Sequence, residues 1–346
     1  MGNIKTKGLL VGLAIIIGGF FKYNQIPIPW TLGGIFSALI LQIAQVEDVS
    51  WNRDWRNGAL LVVGYGTGRY VDGAMVKEMV RQGPGIVSAT LVAVLVCVMI
   101  SVLMTKYQHL DLHSVLMGIM PGGFTQMTAM LDDDKRVDAN IVTVYQSLRL
   151  IIIVVSVPLM VVHLLGANLS GNAASLAFHE GISFWLILPF AFIGGRIFRK
   201  IGTATPELLG SIVVAAVASL CFGRLDTPPS WLLAFAQINI GMYVGTGLNL
   251  NKLKALLKTL PAVIMGILFL LLVSIGFAHF LSSYYGFSLI TAFLAMAPGG
   301  LAEMCLTGMS IGENVAIILT YQLFRFLFLN LAVPFAMKKY FGPPVK

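Results

Sequence analysis

Pro121-Gly122-Gly123 and Pro298-Gly299-Gly300 interrupt two apolar stretches of the chain. Each is followed three positions later by a polar side chain, Gln126 in one case and Glu303 in the other. Proline lacks a backbone donor and glycine tolerates unusual backbone angles, so a helix breaks at such a tripeptide. A break leaves unpaired N–H and C=O groups, which lipid cannot satisfy. These segments must therefore lie against protein or line a watery cavity. Symmetric breaks of this kind point to the solute site in transporters built from inverted repeats. The competing reading is a proline kink in an ordinary packed helix.

A second motif follows each break. Tyr145, Gln146 and Arg149 stand at i, i+1 and i+4, and Tyr321, Gln322 and Arg325 repeat that spacing. On a helix Tyr145 and Arg149 share a face, and Gln146 is an i, i+3 neighbour of Arg149. An arginine inside an apolar helix is costly unless it faces the bundle interior and finds an acceptor. Two roles fit equally. The arginines could hold the carbonyls or carboxylate of the neighbouring broken helix, or they could bind an anionic solute. Glu303 could couple transport to a proton or cation, or form a static ion pair with Arg325.

The rest of the chain must be a membrane scaffold. Of 346 residues 57% are hydrophobic and 11% charged, against roughly a quarter charged in soluble domains. Mean hydropathy is +0.86. Residues 259–302 contain no Asp, Glu, Lys or Arg, and one span needs about 20 apolar residues. The expected class is an all-α polytopic membrane protein. Net charge is +8, but the basic residues lie in short clusters between apolar runs. That pattern sets topology and offers no stripe for nucleic acid. The start, with Lys5 and Lys7 before an apolar run, looks like a signal peptide. No small-residue cleavage site follows, so we read a retained first helix.

An internal duplication organises these runs. MPGGFTQM at 120–127 returns as APGGLAEM at 297–304, and YQSLR as YQLFR. GTG at 66–68 returns at 245–247, IGG at 17–19 returns at 193–195, and PWTLGG from Pro29 matches PELLGS from Pro206. The pairs keep one order and a nearly constant separation. We expect a first membrane repeat over 1–165, a linker over 166–177 and a second repeat over 178–346. If the Pro-Gly-Gly segment crosses the bilayer, basic residues divide evenly between the two sides. If it is re-entrant, each half has about five spans and the second half is inverted. With the N-terminus inside, only Lys22, Arg69, Lys77, Arg81 and Arg224 then fall outside. The positive-inside rule favours inverted repeats with both termini cytoplasmic. Its weak point is the basic loop near 69–81.

Other candidates carry less. His109 and His113 have metal-binding spacing but no partner histidine nearby. Asp132, Asp133 and Asp134 read as a solvated loop, with a cation vestibule as the alternative. Cys97, Cys221 and Cys305 are far apart and suggest neither a disulfide framework nor zinc. GYGTG at 64–68 reads as close helix packing or local unwinding. We expect no cofactor.

The paired PGGFTQM/YQSLR and PGGLAEM/YQLFR motifs, with Pro158 and Pro334 and the segments after Pro29 and Pro206, resemble the AbrB membrane protein family. This is a duplicated bacterial inner-membrane family, distinct from the small DNA-binding regulator of that name. The resemblance covers nearly the whole chain. It implies an inner-membrane location and brings two labels, ammonia monooxygenase and regulator of gene expression. Gln126 departs from the motif, which often carries Glu, and this weakens a coupling role for the first half. An oxygenase needs clustered metal ligands, and the five histidines do not cluster beyond one pair. The leading expectation is a secondary transporter of a small polar or anionic solute, coupled to a proton or cation. A membrane sensor or indirect regulator is the alternative, and the monooxygenase ranks last. The residues leave a homo-oligomer open.

Overall fold

The computed structural model describes residues 4–108, 110–121, 137–167, 183–223, 225–248 and 250–341. They form fifteen α-helices and no strand. In chain order these are α1 (Ile4–Tyr23), α2 (Pro29–Ile43), α3 (Arg53–Gly68), α4 (Gly73–Arg81), α5 (Gly83–Gln108), α6 (Leu112–Ile119) and α7 (Ala139–His163). There follow α8 (Phe184–Lys200), α9 (Pro206–Phe222), α10 (Ser230–Thr246), α11 (Leu250–Ala255), α12 (Leu260–Tyr285), α13 (Leu289–Met296), α14 (Leu301–Ile311) and α15 (Val315–Phe341). Among the described residues five helices are long and apolar enough to cross a membrane: α1, α5, α7, α12 and the 315–332 part of α15. Large apolar side chains such as Ile16, Phe20, Leu186, Phe190, Met265 and Leu272 are exposed on the outer helices. Such a surface suits lipid and not water.

Local chemistry sets the helix ends. Pro29 and Pro206 open α2 and α9 at the position where a missing N–H costs nothing. Asn52, Asp72, Asp111, Asp138 and Ser288 cap α3, α4, α6, α7 and α13 with side-chain oxygens. Gly286 and Gly312 take left-handed angles that stop α12 and α14. The basic stretch read as a loop at 69–81 is in fact mostly the helix α4, capped by Asp72 and carrying an Arg81–Glu78 pair at 3.5 Å.

The helices pack into two sub-bundles, each drawing on both halves of the chain. One contains α1, α2 and α3 with α8, α9 and α10. The other contains α5, α6 and α7 with α12, α13, α14 and α15. The duplication extends to atomic contacts. A side chain at Gly64 of α3 would meet the Leu208 carbonyl of α9 at 2.6 Å. One at Gly241 of α10 would collide with the Thr31 carbonyl of α2. Gly68 against Ile212 and Gly245 against Ile35 repeat the relation. Backbones approach this closely only where side chains are absent, which is how membrane helices gain packing contact. The GYGTG run is therefore a packing surface, although Gly66 itself has ordinary room.

The second Pro-Gly-Gly segment is a hairpin. Helix α13 ends at Met296 and α14 begins at Leu301. The two outer ends meet: the Ser288 hydroxyl donates to the Glu313 carboxylate, and the Thr291 hydroxyl donates to the same oxygen at 2.6 Å. The Asn314 N–H then reaches Thr291 Oγ1 at 3.3 Å. In the first half the Asp138 N–H donates to Ser114 Oγ at 2.7 Å, so the start of α7 likewise lies beside the start of α6. Asp111 accepts from the Ser114 N–H at 2.8 Å and from its hydroxyl at 3.0 Å. Partial burial opposes the Asp111 charge, but the bonds from Ser114 and His113 outweigh it and hold its carboxyl below the ordinary value.

Candidate functional site

Helix α7 carries Tyr145, Gln146 and Arg149, and α15 carries Tyr321, Gln322 and Arg325; all six are buried. Gln146 Nε2 donates to the Met117 carbonyl at 2.8 Å, and Gln322 Nε2 donates to the Leu294 carbonyl at 2.7 Å. Arg149 Nη1 donates to the Ile119 carbonyl at 3.1 Å. Arg325 Nη1 and Nη2 reach the Met296 and Ala297 carbonyls, each at 2.8 Å. Arg325 also donates to Gln322 Oε1. The glutamine–arginine pair thus supplies donors to the carbonyls freed where α6 and α13 stop. This is the role of fixing broken-helix carbonyls. The expected Glu303–Arg325 ion pair is not formed: Arg325 spends its donors on backbone oxygens and the glutamine amide.

A cavity of about 360 Å³ lies where the sub-bundles face each other. One wall comes from Arg56 and Leu60 of α3, Leu208 of α9, Ile240, Tyr243 and Val244 of α10, and Trp51 and Thr205 beside them. The other wall comes from Gln146, Arg149, Gln322 and Arg325, Pro121 and Gly299 of the breaks, and Gly300 to Glu303 at the start of α14. A ligand held there would touch both sub-bundles and the broken elements of both halves.

The expected residues divide accordingly. Pro121, Gln146, Arg149, Gly299, Gly300, Glu303, Gln322 and Arg325 line the cavity. Pro298, Tyr145 and Tyr321 do not. Tyr145 packs on Gly118, where an added side chain would meet its Cβ at 2.8 Å. Tyr321 stands edge-on to Phe287 with ring centroids 6.4 Å apart. The tyrosines therefore secure helix packing, because their face of the helix turns from the cavity towards α6 and the start of α13. Gly122, Gly123, Gln126, the Asp132–Asp134 run and His109 lie outside the described residues.

Electrostatically the cavity has one carboxylate against three guanidiniums. Arg149 and Arg325 lie close enough to repel one another, and Arg56 interacts favourably with Glu303. Glu303 is 7% exposed. Its carboxylate folds back over Gly300, into the space a side chain there would need, and accepts its own backbone N–H. Gly300 is the N-cap of α14 and Glu303 its third helical residue, so the carboxylate lies over a first turn whose N–H groups lack helical acceptors. Arg56 stacks its guanidinium on Tyr243 at 4.9 Å from the ring centroid.

Sequence reasoning missed Arg56, Trp51, Thr205 and Tyr243. Arg56 follows Arg53 and Asp54 at a helix start, and in sequence it reads as one of the topology-setting basic residues. The duplication gave no signal either, because Leu233 stands at the equivalent place in α10 and Gly66 stands opposite Tyr243.

Spanning helices, breaks that end against a shared cavity and buried arginines make this a polytopic helical membrane protein with an internal cavity. The chain belongs to the AbrB family, whose profile, described as "Transition state regulatory protein AbrB", matches residues 30–340. It is 25% identical over 331 residues, 94% of each chain, to "Putative regulator AbrB" of Escherichia coli (strain K12). It is 22% identical over 361 residues to "Uncharacterized protein YhjN" of Bacillus subtilis (strain 168), covering 95% of this chain and 93% of that one. The resemblance read from the paired motifs thus holds over most of the chain.

Proposed function

We propose that the protein is a secondary transporter of a small polar or anionic solute, working by alternating access in the bacterial inner membrane. The observation that carries this reading is the cavity between two sub-bundles, reached by the breaks of both halves and lined by Arg56, Arg149 and Arg325. A pocket at such a junction changes its exposure when one sub-bundle rocks against the other. Polar side chains deep in a membrane bundle are costly to keep and mark solute or ion paths. The second hairpin closes upon itself at its outer ends, and in the first half the start of α7 lies beside the start of α6, which supports five crossings per half and an inverted second half. The charge distribution supports cytoplasmic termini. Glu303 is the candidate coupling group for a proton or cation.

Uptake into proteoliposomes tests this. Saturable uptake of an organic anion, lost in Arg56→Gln while the protein still elutes as a folded species, is the expected result. Binding without flux would leave the second reading, a membrane sensor that regulates indirectly. The names of the family and of the Escherichia coli relative favour that alternative. We propose no enzymatic activity, and stoichiometric copper or iron in the purified protein would overturn that view.

A further inference from the structure

The two halves share most of what lies around the cavity, and their differences are concentrated in one corner. Gln146 and Arg149 match Gln322 and Arg325, and in both halves these residues bond the carbonyls of a break. Arg56 and Tyr243 have no such counterparts, because Leu233 and Gly66 stand in their places. Glu303 is matched in sequence by Gln126. The shared residues serve the scaffold. The unshared ones are left for recognition.

That corner is built to receive a carboxylate. Helix α14 opens on Gly300, which offers no side-chain cap, and its first turn from Gly300 to Glu303 lines the cavity. A first turn has backbone donors without helical acceptors and a positive partial charge, so it attracts anions. An anion is already there, the carboxylate of Glu303 curled over Gly300. Arg56 lines the same cavity from the opposing sub-bundle. Arg149, 5% exposed and in the same cavity, keeps its Nε without an acceptor. The remaining walls are largely apolar or aromatic, including Trp51, Tyr243 and Phe326.

We infer that the cavity takes an organic monocarboxylate with an apolar body, whose carboxylate replaces that of Glu303 between the first turn of α14 and Arg56, and that Glu303 takes up a proton as it yields. The exchange leaves the charge of the site unchanged: one anion arrives from solution and one proton neutralises Glu303. This inference rests on reading the cavity as a solute site and adds its substrate class. The other titratable or charged groups that line or act on that corner are Arg56 and Arg53 from α3, Glu207 of α9 (paired with Arg199), Tyr243 from α10, Arg149 from α7, Arg325 from α15 and Cys305 on α14 itself. Helix α13 contributes none. Glu303 is the one carboxylate among the residues that line the cavity, so the inference assigns the pH response to it.

Calorimetric titration of the full chain in lipid nanodiscs tests this with phenylacetate, hexanoate and the neutral phenylacetamide. Both acids stay ionised between about pH 5.5 and about pH 8, as ordinary carboxylates do. At least one acid should bind about tenfold or more tightly at the lower pH, as uptake of one proton requires, and the amide should not bind. Glu303→Gln should bind the acid equally at both pH values, at least as tightly as the unaltered protein at low pH. Arg56→Gln should lose about tenfold or more. The inference is overturned if neither acid binds, if the amide binds as well as the acids, or if the pH dependence survives in Glu303→Gln. It is also overturned if Glu303→Gln, with an unchanged melting temperature, no longer binds, since Glu303 would then hold the ligand itself. Flux separates this from the transport reading. Acid that binds in the expected pattern but never crosses a proteoliposome defeats transport alone. Saturable uptake of a neutral solute without acid binding defeats this inference alone.

Discussion

Arginines that line one cavity do different work according to where their donors end. Arg325 places two nitrogens on the Met296 and Ala297 carbonyls. Removing it leaves buried acceptors unpaired, at about 1–3 kcal/mol for each group. Arg325→Gln should therefore lower the melting temperature of the detergent-solubilised protein clearly, and Arg325→Lys should recover only part, because one ammonium cannot reproduce the planar fork. Arg56 bonds no break carbonyl and stacks on Tyr243. Arg56→Gln should cost only about 1 kcal/mol of stability, the size of a partly exposed cation–π contact. Equal destabilisation by the two variants would show that Arg56 is also structural.

Helices α3 and α9, and α2 and α10, touch through glycine backbones. Gly64→Leu should push α3 from α9, because the collision is with a backbone carbonyl that cannot move aside. Overpacking of this kind costs about 1–3 kcal/mol or more, read as loss of the monodisperse peak in size-exclusion chromatography. Gly66→Ala, whose nearest neighbour would be the Pro228 side chain at 3.5 Å, should behave like the unaltered protein. The hairpin ends make a second prediction at this scale. Asp111→Ala removes the cap of α6 and its hold on Ser114, at about 1 kcal/mol. The Asp111 carboxyl is held below its ordinary value, so its contribution is full above the unfolded-state value and is lost as pH falls through the lower folded one. The variant and the unaltered protein should thus differ in melting temperature at neutral pH and converge in strong acid.

The described helices form two sub-bundles of mixed origin around a cavity, and the orientation of the protein can be read chemically. Cysteines placed at Lys106 and Lys254 should both react with a membrane-impermeant reagent from the cytoplasmic face if the halves are inverted. Reaction from opposite faces would mean parallel halves. Much of this architecture was legible beforehand. Apolar runs announce helices because span length and hydropathy are local properties of the chain. The break at 297–300 was legible because proline and glycine act on their own backbone. The duplication itself could be seen in paired words such as PGGFTQM and PGGLAEM. What the sequence determined alone was therefore the helical membrane class, the repeat and the places where helices must stop. Only the tertiary structure decided which face of each helix meets the cavity. It turned Tyr145 and Tyr321 into packing residues, gave Arg325 to carbonyls and not to Glu303, and brought Arg56 and Tyr243 to the site. Those outcomes depend on contacts between different helices, 29 residues apart for Arg325 and Met296 and far more for Arg56 and Tyr243, and no local pattern encodes such contacts.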